Sequence, residues 1–168
     1  MRNWLLTLTL IVAVILQVSF LGAWRPLGVV PNLVLVTLIW LSFTLPVQSL
    51  LIAAAGSGLA LDLLSGADFG LRMVFMLTVA LAILVIRQLG ADVESMSLGL
   101  AVVAAATVFY NLAVLAGLVA LGAHLPGVNI AGIIGREIIL NLLLALLVHP
   151  ILVRWMQPRH QAMIIRRG

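Results

Sequence analysis

The chain contains no cysteine and no lysine, and only 8% of its residues are charged. Without cysteine there is no disulfide, no thiolate metal site and no cysteine nucleophile. A soluble domain typically carries about 25% charged residues, so a water-facing surface is excluded over most of this chain. No hydrophilic stretch is long enough to fold as a second, soluble domain. Catalytic signatures are missing as well. There is no Ser-His-acid set at a common depth, no phosphate-cradling glycine loop followed by lysine, and no histidine-rich helix. The three histidines, His124, His149 and His160, fall at different levels and do not form a shared metal site. The residues therefore assign no catalytic, cofactor-binding or metal position, and the expected function is non-enzymatic.

What the chain has is apolar length. It is 64% apolar, with a mean hydropathy of +1.30. A transmembrane helix takes roughly 20 apolar residues, and six such segments are expected: Trp4–Ala23, Asn32–Leu45, Val47–Leu64, Leu71–Ile86, Ser97–Leu121 and Ile130–Val153. The expected fold is all-α, a polytopic bundle forming a single transmembrane domain over residues 1–168. Only Thr44-Leu45-Pro46-Val47-Gln48 divides the second segment from the third. Proline cannot continue the helix there, so a tight helical hairpin is expected. The first segment is read as a retained helix. Its apolar run exceeds a signal core, and Gly22-Ala23-Trp24-Arg25 is a poor cleavage site.

Orientation follows from the arginines. With six spans, Arg2, Arg87, Arg154, Arg159, Arg166 and Arg167 share one side, while Arg25, Arg72 and Arg136 share the other. The excess places both termini in the cytoplasm. A basic balance can indicate nucleic acid, but these charges sit at segment ends and in the tail. They indicate membrane orientation and contact with lipid, and no nucleic-acid partner.

The chemistry-bearing residues gather toward the non-cytoplasmic half: Arg25, Asp62, Asp68, Arg72, Arg136 and Glu137. Asp62 closes one apolar segment and Arg72 opens the next, so the two are expected to be neighbours across the turn. Charges inside a bilayer cost a few kcal/mol each on insertion scales. Three roles are open for this pair: a structural staple between helices, a partner or ligand contact, and proton or ion coupling. Arg136 and Glu137 are adjacent in one helix and point about 100° apart. They cannot face one neighbour equally well. Asn111 and Asn141 are read as interhelical hydrogen-bonding groups.

Three stretches carry a family resemblance. Pro31-Asn32 precedes Leu33-Val34-Leu35-Val36. Gly58-Leu59-Ala60-Leu61-Asp62-Leu63-Leu64-Ser65-Gly66 follows, and Phe69-Gly70-Leu71-Arg72 opens the fourth segment. This pattern resembles the MreD family of bacterial rod-shape-determining inner-membrane proteins. Asp68-Phe69 stands where that family commonly has an apolar or Pro-Leu pair. The resemblance implies a non-enzymatic subunit of the cell-elongation (rod) complex that takes part in regulating peptidoglycan synthesis. Its implied partner is MreC, with MreB, RodA and a class B penicillin-binding protein reached indirectly. It also implies a fold similar to the substrate-binding subunits of energy-coupling-factor transporters. The partner-binding or structural residues singled out are Pro31, Asn32, Asp62, Gly66, Gly70, Arg72, Arg136 and Glu137. The competing function is the substrate-binding subunit of an energy-coupling-factor vitamin transporter. A vitamin pocket should be lined by aromatics, and this chain has one tyrosine, Tyr110.

Overall fold

A computed structural model describes residues 2–43, 45–65, 70–89, 95–120, 122 and 129–156. Among these residues the structure is helical and contains no strand. Helix α1 spans Arg2–Leu16, widens into a π-helical turn at Gln17–Leu21 and closes with one α turn at Gly22–Trp24. Helices α2 (Leu33–Ser42), α3 (Val47–Ser65), α4 (Leu71–Gln88), α5 (Met96–Ala120) and α6 (Ile130–Met156) follow.

Four segments are long and apolar enough to cross a bilayer: Val47–Leu64, Leu71–Gln88, Met96–Gly117 and Ile130–Ile151. They correspond to the last four expected spans. Helix α2 differs from expectation. It has 10 residues, about 15 Å at 1.5 Å per residue, which is half of a ~30 Å hydrocarbon core. Its ends explain its length. Asn32 caps the start, its side chain accepting from the Leu35 N–H at 2.9 Å. Pro46 prevents the helix from running on into α3.

Every residue of α2 from Val34 to Ser42 is buried. A helix that is apolar all round belongs in a core, and α2 packs against α1, α3, α4, α5 and α6. Leu35, Leu38 and Ile39 meet Leu50, Met76, Ile83 and Val103 in one contiguous cluster. The surrounding helices turn the opposite way. Ile52, Leu147 and Val85 are exposed, as lipid-facing side chains are. Burial thus runs inward toward α2, and the long helices form a wall around it.

Candidate functional site

The α3–α4 junction begins with a missing side chain. A Cβ on Gly58 would stand 2.8 Å from the Met73 N and 2.9 Å from the Arg72 carbonyl O, so only glycine lets the two backbones come this close. Asp62 lies one turn further along the same face of α3. Its buried carboxylate accepts from the N–H groups of Gly70 (3.1 Å), Arg72 (3.2 Å) and Met73 (3.2 Å). These are first-turn donors of α4, which have no partner inside their own helix. A negative charge there also complements the helix dipole. Gly70 precedes α4 at φ 92°, a left-handed conformation that glycine adopts without strain.

Asp62 and Arg72 are therefore neighbours, as the turn between them implied. Asp62 meets the backbone N–H groups of this segment. The Arg72 guanidinium donates from Nη1 to the Leu61 carbonyl at 3.0 Å and also interacts with the Tyr110 side chain on α5. Asp62 and Glu137 are both close enough to the Tyr110 hydroxyl to act on it electrostatically. Its ring meets Phe75 edge-on at 6.0 Å.

A second set of polar groups holds α2. The Asn32 N–H donates to Asn141 Oδ1 on α6 at 2.7 Å. Asn141 Nδ2 donates to Thr107 Oγ1 on α5 at 2.9 Å. Gln17, at the start of the π turn, donates to the Pro31 carbonyl at 2.9 Å and accepts from the Leu33 N–H at 2.7 Å. One turn above Asn141, buried Glu137 interacts with Asn111, which donates to the Thr107 carbonyl at 2.9 Å. Glu137–Asn111 and Asn141–Thr107 thus form two rungs between α5 and α6.

Charge also closes the opposite end of α2. Arg87 donates from Nη1 to the Ser42 carbonyl at 2.8 Å and to the Leu45 carbonyl at 3.0 Å. A cation at a helix C-terminus matches the dipole and satisfies carbonyls that the helix leaves open.

Among the singled-out residues, the structure brings Asp62, Gly70 and Arg72 into one junction, with Glu137 near it through Tyr110. Pro31 and Asn32 belong to the α2 cap. Arg136 and Glu137 part company, as their spacing required. Arg136 is exposed and donates to the Leu27 carbonyl at 2.9 Å, pinning the segment after α1. Gly66 and Asp68 lie outside the described residues, as do Asp92, Glu94, His124 and His160. Gln17 and Thr107 were not singled out by sequence, although a lone amide inside an apolar run was a usable signal for Gln17. Arg87 was read only as an orientation marker.

Chemically, the arrangement joins helices. Carboxylate, amides and guanidinium groups meet backbone groups and one another. No group of three or more His, Asp or Glu side chains able to hold a metal ion occurs among the described residues. Comparison with protein-family models, curated proteins and solved structures finds no match to this chain.

Proposed function

We propose that the chain is a non-enzymatic membrane subunit of the MreD type, acting in the bacterial cell-elongation complex by binding an MreC-like single-span protein. In this reading α1 and the short α2 are the first two of six crossings, in a fold similar to the energy-coupling-factor substrate-binding subunits. Both termini are cytoplasmic, and the Asp62 end of the bundle faces outward.

One observation carries the choice of binding over transport. In transporters, the N-terminus of a broken, half-length helix commonly faces a substrate. Here three of the corresponding donors at α2 are taken from within. Asn32 N–H is taken by Asn141, Leu33 N–H by Gln17, and Leu35 N–H by the Asn32 side chain. A captured molecule would have to displace protein groups that already fit. Among the residues that carry the family resemblance, Pro31, Asn32, Gly58, Asp62, Gly70 and Arg72 are engaged in joining helices. That is the use expected of a scaffold.

Purification in mild detergent from a rod-shaped host tests the reading. Co-purification with an MreC-like protein, and round or swollen cells on depletion, are the expected results. A crosslinker at Leu71 or Ile133 should capture that partner more readily than one at Val85. Recovery with transporter ATPases and a bound vitamin would replace the proposal with the transport alternative.

A further inference from the structure

An apolar cleft of about 570 Å³ opens between α1 and α3. Leu10, Ile11 and Val14 form one wall, and Ala53, Gly56 and Ala60 form the other. It runs along α3 from Ser49 to Leu64. Two glycines of α3 contrast here. Gly58 is required by the backbone of α4, whereas a Cβ on Gly56 would meet nothing within 4 Å. The open space at Gly56 serves no contact within the described chain.

Size selects the occupant. Spread over the roughly 22 Å of helix between Ser49 and Leu64, the volume gives a mean section of about 25 Å², about a quarter of that of an α-helix 10–12 Å across. A partner's helix does not fit within such a slot. A single extended hydrocarbon chain does.

Charge selects the head. Leu41 and Leu45 line the cleft at the Arg87 end of the bundle, and Arg87 donates to the Leu45 carbonyl. Among the described residues its acceptors are the Ser42 and Leu45 carbonyls, both reached through Nη1. A guanidinium beside an apolar slot presents a phosphate-binding fork next to a chain-binding groove. We infer that the α1–α3 cleft binds a membrane phospholipid, with one acyl chain along Gly56 and its phosphate on Arg87. This assignment does not depend on the cell-elongation reading.

Native mass spectrometry of the full chain, with palmitoyl-oleoyl phosphatidylglycerol and with the diacylglycerol of the same chains, tests it. The phospholipid should be retained through delipidation, and the diacylglycerol should bind at least roughly five-fold more weakly for want of the phosphate contact. Gly56→Leu fills the slot and, at an open helical position, leaves the fold intact. It should weaken retention roughly ten-fold by displacing buried methylenes. Arg87→Gln should remove the preference for phospholipid over diacylglycerol. Unchanged retention in Gly56→Leu, or equal binding of the two lipids by the parent chain, would overturn the assignment. So would disulfide-linked dimers of a Gly56→Cys variant, which would give the cleft to a second copy.

Discussion

At the scale of single residues, two glycines two positions apart have opposite roles. Gly58→Ala drives a methyl group into the Met73 and Arg72 backbone and should cost about 1–3 kcal/mol or more, as overpacking does. Gly56→Ala adds its methyl to open space and should be neutral or stabilising by up to about 1 kcal/mol. Thermal unfolding of the two variants in detergent checks the contrast; equal effects would deny the close approach of α3 and α4. Asp62→Ala removes the acceptor of three N–H groups and should destabilise by about 2–4 kcal/mol. Asp62→Asn keeps one acceptor oxygen and should recover part of that loss in the same assay. The proximity of Asp62 to Arg72 was legible in the sequence, because a short glycine-bounded turn leaves little freedom. The contacts with backbone N–H groups were not. Backbone donors have no letter in a sequence, and a carboxylate near the end of a helix reads the same whatever it meets across the turn.

Among the elements, α2 shows where sequence pattern loses resolution. Its break at Pro46 was legible because proline removes a donor and blocks the helix. Its start was legible to within a residue, the expected segment opening at Asn32 and the helix at Leu33. Its short length was not, since Leu33 through Ser42 looks like any apolar run and carries no periodicity. The π turn of α1 was also silent, and with it the role of Gln17. Asn141, read as an interhelical hydrogen-bonding group, takes that part with Thr107 and the Asn32 backbone. The caps should matter in proportion to their burial. Asn141→Ala leaves the Asn32 N–H and the Thr107 hydroxyl without this partner, and Gln17→Leu frees the Pro31 carbonyl and the Leu33 N–H. Each should cost about 1–3 kcal/mol, read from denaturant unfolding. The double variant should depart from additivity by at least about 0.5 kcal/mol, because both side chains hold the same short segment. Strict additivity would mean that α2 is not held as one unit.

For the whole molecule, the absence of cysteine makes topology directly measurable. Single cysteines at Gly70 and Asn129 should react with a membrane-impermeant maleimide from one face, and those at Leu89 and Ser95 from the other. Labelling of Gly70 and Ser95 from the same face would contradict α4 as a crossing helix. The wall of exposed apolar side chains around α2 was the most legible feature of the fold, because composition alone demands it. The arrangement of polar groups inside that wall was the least legible, since neutral amides and hydroxyls match many partners equally. The two ends of α2 also differ in when they can be completed. Arg87 reaches Ser42 across 45 residues, whereas Asn141 reaches Asn32 across 109. During synthesis the Ser42 end can therefore close while much of the chain is still on the ribosome. At the Asn32 end, Gln17 is already in place, but the contact from Asn141 must wait for α6. Chains stalled before Asn141 should lack its contact with the Asn32 N–H and be cleared by membrane proteases faster than chains that extend past Met156, a difference that pulse-chase decay can measure. The Asn32–Asn141 bond thus distinguishes chains that contain α6 from chains that do not.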